Sequence, residues 1–478
     1  MPVPGDVADV LIVGAGVVGC AIARTLAGYQ LSVVLVDRAA DVGAGTSKAN
    51  TAILHTGFDA VPGSLESRLL RRGSALLAGY ARQAGIPVER TGARLVAWTA
   101  EQEAALDGIA AKAARNGVTD VHPATAAELY AAEPHLGPGV RAGLVIPGES
   151  IICPWTTTLA YATEAVRAGV RLLLRTGVTG VTWGDGPPGE HRVHTGRGLL
   201  RARWLVNAAG LDSDRVDRMA GGESFTITPR RGELIVFDKL ARPLVSSILL
   251  PVPTARTKGV LIAPTVYGNV LLGPTAEDVT DRTATGTTAT GLVALLDAGR
   301  RIVPGLVAEE VTASYAGLRA ATEHSDYQIR VDARRRYACA GGIRSTGLSA
   351  SLGIAEHIVA ELAAAGLDLV PRETAGPPSM PYLGQAGQRP YADAARIAAD
   401  PEYGTIVCHC ERVTRGEIRD ALAGPLPPAD IDGLRRRTRA LNGRCQGFYC
   451  AATVSALFAA GAPAAPAERP AAVARDPA

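Results

Sequence analysis

The sequence predicts a mixed α/β and α+β protein built from three parts. Near the amino terminus, a short β-branched apolar run breaks at glycines and then continues with helical spacing. Residues 225–275 alternate between strands and turns, which is typical of an antiparallel sheet. Close to the carboxyl terminus, a Pro/Gly-rich stretch precedes a segment that holds four of the seven cysteines. A chain of 478 residues is long enough for such domains to have sizeable cores.

The composition is that of a globular protein, with 47% apolar and 20% charged residues. The formal net charge of +3 is spread along the chain, so nucleic acid is not an expected partner. Asp6 and Asp9 precede the first apolar run, which argues against a signal peptide. No apolar run reaches about 20 residues, so we expect no transmembrane segment, with peripheral membrane contact left open. These features predict a cytoplasmic protein.

The first apolar run leads into the glycine motif. Gly14 permits a tight turn, Gly16 lets the backbone approach a pyrophosphate, and Gly19 lets helix and strand touch. The helix that follows would direct free N–H groups and its positive dipole end at phosphates. A second strand, at 31–36, ends in Asp37, which could hold a ribose diol. This context predicts an adenine dinucleotide bound by a Rossmann-like domain, and the alternative is an ordinary βα turn.

Two other stretches suit an extended ligand. Residues 43–57 are small and polar and follow the second strand directly, so we expect them to lie along the ligand rather than to form only a flexible connection. Residues 341–349 form a second glycine-rich turn that opens a helix, whose dipole could stabilise charge on a reduced flavin. Only one G-x-G-x-x-G is present, so we expect the organic substrate to reduce the cofactor directly.

The remaining elements follow from periodicity. Helices are predicted at 64–86, 101–116, 156–168 and 290–301, and strands at 94–98, 143–152, 170–174, 178–183, 202–210 and 336–340. The predicted domains are an interrupted nucleotide-binding domain (8–90, 150–215 and 325–370), an inserted sheet domain for the substrate (91–149 and 216–324), a linker (371–400), a cysteine-containing helical domain (401–460) and a disordered tail (461–478).

Several of these motifs together resemble one family. They are Gly14 to Asp37, Gly45-Thr46-Ser47, His55-Thr56-Gly57, Val206-Asn207-Ala208-Ala209-Gly210, Gly273 to Asp278, Gly317-Leu318-Arg319 and Gly342-Ile343 with Gly347-Leu348. They resemble the D-amino acid oxidase superfamily of FAD enzymes, and most of all its anaerobic-type glycerol-3-phosphate dehydrogenases and L-2-hydroxyglutarate dehydrogenases. The resemblance covers residues 8–370 and implies FAD, with the substrate over the flavin face beneath the inserted sheet.

The resemblance also implies which residues hold FAD. Those for the ADP half are Gly14, Gly16, Gly19 and Asp37; those along the path to the flavin are Thr46, Ser47 and Asn50; Gly210 joins the cofactor-binding set, and Gly347 and Leu348 lie at the pyrimidine edge.

For the substrate, the resemblance singles out Arg319, whose guanidinium would engage a carboxylate or phosphate. The alternative is an arginine in a surface salt bridge. His55 is a candidate catalytic base for the hydroxyl proton, or else packs against the flavin or attaches it covalently. Arg231 and Lys258 are candidate secondary contacts to the anion.

One departure from the family pattern concerns the turn before the last helix of the FAD domain. Where close relatives tend to have Asp-Ser-Pro-Gly, this chain has Arg344-Ser345-Thr346-Gly347. A cation there puts glycerol 3-phosphate itself in doubt as substrate and favours a more anionic compound or a stabilised anionic flavin. Arg344 is therefore a candidate substrate contact, unless its side chain points to solvent.

The clustered cysteines are Cys408, Cys410, Cys445 and Cys450. Four thiolates in two close pairs suit zinc or an iron–sulfur cluster, and structural zinc more often uses a two-residue gap within each pair. The C-x-C and C-x4-C spacings resemble instead the bacterioferritin-associated ferredoxin domain, which implies a 2Fe-2S cluster. The isolated Cys20, Cys153 and Cys339 are expected to be buried thiols.

Together these observations predict an FAD-dependent dehydrogenase that oxidises a small anionic 2-hydroxy acid or polyol phosphate. Electrons would leave through the 2Fe-2S cluster to an acceptor protein or quinone. Two alternatives stay open at this point. The same superfamily oxidises C–N bonds in amines, amino acids and opines, and the C-terminal domain could serve only for docking or iron sensing.

Overall fold

The computed structural model describes residues 7–184, 189–253 and 259–461. An eight-stranded sheet forms the first domain, with strand order β10-β11-β12-β1-β2-β9 and with β20, which also carries β19, beside β12. Its strands are β1 (Val7–Val13), β2 (Val33–Val36), β9 (Arg171–Leu173), β10 (Val178–Gly184), β11 (Glu190–Thr195), β12 (Gly198–Asn207), β19 (Gln328–Asp332) and β20 (Tyr337–Gly341).

β1 lies at the centre of this sheet, parallel to both β2 and β12. Val10, Leu11 and Ile12 are fully buried, as expected for a strand covered on both faces. The helices of this domain are α1 (Val17–Leu26), α2 (Leu65–Ala84), α5 (Pro154–Arg167), α6 (Ser213–Met219) and α8 (Gly347–Ala364). α2 and α8 meet at Gly73 and Gly353, where a side chain on either glycine would collide with the backbone of the other helix.

A nine-stranded sheet forms the inserted domain. Its strands are β5 (Ala93–Ala97), β6 (His122–Thr125), β7 (Ala142–Ile146), β13 (Ile227–Phe237), β14 (Ile248–Pro251), β15 (Leu261–Pro264), β16 (Val270–Gly273), β17 (Glu277–Asp278) and β18 (Val311–Thr322). Its helices are α3 (Ala100–Arg115), α4 (Ala126–Ala132) and α7 (Ala289–Ile302). The pairing is antiparallel as predicted, except that β5 and β14 run parallel and thereby join the two inserted pieces.

The strand predicted at 143–152 is two strands. β7 ends at Ile146, and β8 (Ser150–Ile152) pairs with β3 (Ile53–Leu54) and β4 (Val88–Glu89) in a separate three-stranded sheet. Pro147 and Gly148 make the turn between them, because proline and glycine favour turns over continued pairing. This small sheet lies where the first domain meets the inserted one.

The C-terminal domain has its own core, formed mainly by Val407, Val413, Ile418, Leu434 and Val454. Its elements are β21 (Ile406–Cys408), β22 (Val413–Thr414), α10 (Arg415–Ala423), α11 (Ile431–Thr438) and α12 (Ala451–Gly461).

The stretch at 371–400, predicted as a linker, includes α9 (Ala394–Ala399) and packs on the first domain. The amide of Met380 donates to the carbonyl of Ala84, and Leu383 is buried. The predicted disordered tail begins at Gly461, the last residue of α12, and otherwise lies outside the described residues. Over the described ranges, no helix combines the length and apolar character that crossing a membrane requires.

Candidate functional site

The predicted dinucleotide turn lies at the carboxyl edge of the first sheet. Gly14 has φ +108°, a conformation that favours glycine, and a Cβ there would collide with the Ala208 carbonyl oxygen after β12. A Cβ on Gly19 would collide with the Gly14 carbonyl, so helix and strand touch as expected. Gly210, with φ +57°, begins a short 3-10 turn directly after the same end of β12. The ends of β1 and β12 are thus brought together.

Two side chains complete this turn. The amide of Ala15 donates to Asp37 Oδ2 at 2.7 Å, and the amide of Val17 donates to Ser47 Oγ at 2.9 Å. Gly16 and Ser47 are partly exposed, so the amino end of α1 remains accessible to an anion. The glycine backbone, the helix dipole and the hydroxyl fit the pyrophosphate of FAD. Asp37 here supports the turn, and its role at the ribose stays a prediction.

The loop that follows the turn lies beneath β18. Thr46 Oγ1 donates to the Leu318 carbonyl at 2.8 Å, and the Tyr315 hydroxyl donates to the Asn50 carbonyl at 2.7 Å. A Cβ on Gly317 would collide with the Ala49 carbonyl. Because alternate residues share a strand face, Arg319 lies on the side of β18 that faces this loop. The predicted path to the flavin therefore runs between the first domain and the inserted sheet.

The amino end of α8 lies beside the same loop. Gly347 and Leu348 are its first residues and are partly exposed. The amide of His55 donates to Ser349 Oγ at 2.9 Å. Just before α8, Thr346 donates to Glu66 Oε1 at 2.7 Å. The predicted pyrimidine edge and the predicted base are thus adjacent in the fold.

His55 forms a dyad with Glu149, a residue that sequence reasoning missed. His55 Nδ1 lies 2.9 Å from Glu149 Oε2, and the Glu149 side chain is almost fully buried. Glu149 Oε1 accepts hydrogen bonds from the amide and hydroxyl of Thr56, at 2.7 and 2.8 Å. When Nδ1 donates to the carboxylate, Nε2 carries the lone pair that can take a proton. The only sequence signal for Glu149 was an acid within an apolar stretch, in the turn between β7 and β8.

Arg319 differs from the arginines around it. Arg230 forms two hydrogen bonds with Asp278, at 2.6 and 2.9 Å, and Arg231 pairs with Glu277. Arg319, directly opposite Arg230 in the sheet register, donates to the Thr275 carbonyl and has no carboxylate partner within the described ranges. Burial, with a smaller effect of Arg230, lowers the pKa of Arg319. A partly buried cation without a counter-charge is suited to bind an anion.

The other predicted substrate contacts have different surroundings. The guanidinium of Arg344 donates to the Ser325 carbonyl in the turn before β19. Arg231 already has an acidic partner, and Lys258 lies outside the described residues.

The four clustered cysteines meet in the C-terminal domain as two contacting pairs, Cys410 with Cys445 and Cys408 with Cys450. Burial and the neighbouring Cys408 raise the pKa of Cys450 to about 11. The backbone amides of Tyr449, Gly447 and Phe448 lower the pKa of Cys445, because they stabilise a thiolate.

Within the described ranges, no three potential ligands already stand at metal-binding separation. The donor set itself, four thiols with backbone amides directed at one of them, fits a 2Fe-2S cluster. Cys20, Cys153 and Cys339 are fully buried, as predicted.

A second set of residues that the sequence did not identify joins the C-terminal domain to the first domain. Asp41 accepts hydrogen bonds from Arg436 at 2.8 Å and from both terminal nitrogens of Arg437 at 2.6 and 2.8 Å. All three residues are buried.

Nearby, Arg439 pairs with Glu411, next to Cys410, and lies 4.0 Å from the centre of the Tyr267 ring. Tyr267 stacks on Trp155, whose indole nitrogen donates to the Lys48 carbonyl at 3.1 Å. Contacts therefore run without a gap from the loop at 43–57, the flavin loop, to the thiols.

Comparisons with known proteins agree with this geometry. Residues 9–362 match the family described as FAD dependent oxidoreductase, and residues 406–460 match the BFD-like [2Fe-2S] binding domain. The chain is 33% identical over 455 residues to glycerol 3-phosphate dehydrogenase of Caloramator mitchellensis, covering 94% of both chains. It is 30% identical to mitochondrial L-2-hydroxyglutarate dehydrogenase of Caenorhabditis elegans over 56% of this chain and 63% of the relative.

Among solved structures, the reduced, FAD-bound L-alpha-glycerophosphate oxidase of Mycoplasma pneumoniae superposes with a TM-score of 0.73. The two chains are 29% identical, and the match covers 78% of this chain and 98% of that one.

Proposed function

Because the chain belongs to the FAD-dependent oxidoreductase family, we propose that it is a dehydrogenase acting on a small anionic secondary alcohol. Glycerol 3-phosphate is the proposed substrate, since the relative that matches over 94% of both chains carries that name. L-2-hydroxyglutarate, an anionic 2-hydroxy acid, is the second compound of this class. The proposed route for the electrons leads through the 2Fe-2S domain to an acceptor protein or quinone.

The observation that carries the proposal is Arg319. The arginines beside it are neutralised by Asp278 and Glu277, whereas Arg319 faces the flavin loop without an acidic partner among the described residues. A phosphate or carboxylate would supply the missing counter-charge through a two-pronged contact. An uncharged alcohol or amine would leave that cation uncompensated.

His55 is the proposed base. Bound FAD supplies the acceptor for two electrons, and the hydroxyl proton of the substrate must go to the protein. Nε2 can take it, while the buried carboxylate of Glu149 at Nδ1 stabilises the imidazolium and holds the ring orientation. This division of roles is that of a base and its positioning residue.

The C-terminal domain supports the assignment as a dehydrogenase rather than an oxidase, because transfer to oxygen needs no cluster. Its thiol ligands also support a cytoplasmic location, where cysteines remain reduced. The contacts Lys48–Trp155–Tyr267–Arg439 place that domain directly against the flavin loop.

An anaerobic screen that follows bleaching of the flavin tests the substrate class. We expect glycerol 3-phosphate to reduce the flavin faster than L-2-hydroxyglutarate, glycerol, glycine or sarcosine. Arg319→Ala should raise the substrate concentration for half-maximal reduction roughly ten- to a hundredfold, while FAD content stays unchanged. Arg230→Ala is the matched control, since it removes a paired cation at the same register position. Faster bleaching by an amine would contradict the proposal.

Cys410→Ser tests the role of the C-terminal domain in the full-length chain. A truncation is less informative, because it would also remove Arg436 and Arg437, the partners of Asp41, and uncover the surface they contact. We expect normal flavin reduction and lost reduction of the acceptor. Retained transfer to the natural acceptor would instead favour a docking or iron-sensing role. Cys339→Ser, at a buried thiol elsewhere, is the control.

A further inference from the structure

A large cavity lies on the other side of the small three-stranded sheet, away from the dinucleotide turn. Its volume is about 960 Å³. α2 forms one wall, the strands β3, β4 and β8 form another, and the 117–120 loop and Tyr382 close the ends. This volume lies at the upper end of the range for small-molecule sites, so it can hold a ligand of nucleotide size. Leu54 and Thr56, at the end of the 43–57 segment, line it, whereas the glycines of the dinucleotide turn and the four clustered cysteines do not.

The cavity concentrates positive charge. The exposed side chains of Arg71, Arg82 and Arg90 line it, and none of the three forms an ion pair or a side-chain hydrogen bond within the described part of the chain. Asp120 is the acidic residue of the lining. By contrast Arg72, next in sequence to Arg71, points elsewhere and binds Glu356 through two hydrogen bonds at 2.7 and 2.9 Å. Unpaired guanidinium groups in a concave surface attract anions.

Two glycines shape the wall. Gly117 has φ +75°, and a Cβ there would collide with the guanidinium of Arg71. A Cβ on Gly148 would lie 2.8 Å from the Thr56 methyl group. The loop and the turn therefore lack side chains where the Arg71 guanidinium and the Thr56 methyl group come closest to the backbone.

Part of the lining is apolar. Ala75 and Ala78 lie on the same face of α2 as Arg71 and Arg82, as their helical spacing requires. Tyr382 contributes a half-buried aromatic ring, against which the backbone at Gly384 and Gly387 packs closely. An aromatic ring and a small-residue helix face can hold a planar base between them.

We propose that this cavity binds a nucleotide. The arginines hold its phosphates, for which the guanidinium fork has the matching geometry, and the base lies against the alanines and Tyr382. The ligand would be close to the catalytic dyad, because Thr56 lines the cavity and donates to Glu149. Gly148 and Ser150, on either side of Glu149, line it as well. Arg319, the proposed substrate contact, does not line this cavity.

The test is calorimetric binding of ADP to FAD-saturated holoenzyme, with flavin absorbance monitored to show that FAD stays bound. We expect saturable binding that Arg71→Ala and Arg82→Ala each weaken about tenfold or more. Arg68→Ala is the matched control: it removes an exposed arginine of α2 that does not line the cavity, and it should leave the affinity unchanged. Arg319→Ala should also leave it unchanged.

Inorganic pyrophosphate should compete with ADP, because the arginines recognise phosphate. Absence of binding at millimolar ADP would overturn the proposal, as would equal affinity in the wild type and both cavity variants. Loss of binding in Arg319→Ala alone would assign the nucleotide to the substrate site and would also overturn it. Thermal melting of each variant shows that it is folded, so a weakened affinity reports on the site.

Discussion

The glycine turn and the four thiols are held in place by different forces. The turn lies at the end of a central strand whose residues are buried on both faces, within the largest apolar core of the molecule. The thiols belong to a small domain whose core comprises a few aliphatic residues. That domain contacts the rest through the buried ion pairs of Asp41 with Arg436 and Arg437, and through Arg439 on the Tyr267 ring.

This difference predicts how each redox site responds to salt, to pH and to substitutions. Hydrophobic burial is nearly independent of salt and pH, whereas a buried ion pair fails when one partner is removed. Small domains of this size commonly depend on a metal or cluster for stability. The first site should therefore tolerate changes that separate or unfold the second.

The largest expected effect is that of Asp41→Ala. It leaves Arg437 buried without a counter-charge and leaves Arg436 with Asp432 as its carboxylate partner, at a cost of roughly 3–5 kcal/mol. We expect the C-terminal domain to detach, so that limited proteolysis cuts near 371–400. Flavin reduction by substrate should stay normal, and reduction of the cluster should be slow. A variant that resists protease like the wild type would show that apolar contacts hold the domain.

A second prediction concerns an ion pair between the first domain and the inserted domain. Arg282, in the inserted domain, donates to both oxygens of Asp214 on α6 at 2.6 and 2.7 Å. Burial opposes ionisation, but these bonds outweigh it and lower the pKa of Asp214 to about 2, from an ordinary 3.8. A lowered pKa means stability that is present above about pH 4 and lost as the pH falls through 2, worth about 2 kcal/mol.

Acid denaturation measures the contribution of the Asp214–Arg282 ion pair to the free energy of unfolding. In Asp214→Asn, the free energy of unfolding should be lower near neutral pH and should change less between pH 4 and pH 2 than in the wild type. Asp297→Asn, an exposed carboxylate on α7, is the control. An unchanged slope in Asp214→Asn would contradict the assignment.

Glu149→Gln should slow flavin reduction and leave the C-terminal domain attached, which is the reverse of the result expected for Asp41→Ala. Without its carboxylate, the imidazolium of His55 loses its counter-charge, and we expect flavin reduction to slow by about tenfold or more. Protease resistance and onward electron transfer should remain normal. Stopped-flow reduction across pH should show a changed profile, and Glu149→Asp should restore part of the rate. An unaltered pH profile would assign Glu149 a purely structural role.

The smallest expected effect is that of Lys48→Ala. Lys48 joins the flavin loop to Asp432 of α11 at 2.9 Å, and both side chains are about two-fifths exposed or more. Exposed pairs of this kind contribute about 0–1 kcal/mol and weaken with salt. Protease sensitivity should rise slightly at low salt and match the wild type at high salt. A loss of protease resistance as large as that of Asp41→Ala would contradict the distinction between buried and exposed ion pairs.

Much of the fold was predictable because its signals are local. Strands β1 and β2, the glycine turn and helices α2, α3 and α7 follow from periodicity and from turn residues within short windows. The comparisons confirm the predicted family and the 2Fe-2S domain. The break between β7 and β8 was missed, because their apolar residues read as one strand while they pair in two different sheets.

The candidate site was less predictable where it depends on distant contacts. His55 and Arg319 were identified through a family motif, and their proposed roles stay predictions. Glu149 was missed because its partner lies 94 residues away and nothing in its own sequence surroundings identifies it. Asp41 was missed for the same reason, since its partners lie 395 and 396 residues further along the chain. An isolated acid in a sequence does not reveal which cation it will meet.

The parallel pairing of β5 with β14 has a consequence for the growing chain. It joins positions about 155 residues apart, with an entire stretch of the first domain between them. During synthesis, β5, β6 and β7 emerge long before β14 and must wait as an open edge. Because such non-local pairing is slow, the inserted sheet cannot be completed until β14 has been synthesised, and the free edge of β5 is open to wrong pairing until then.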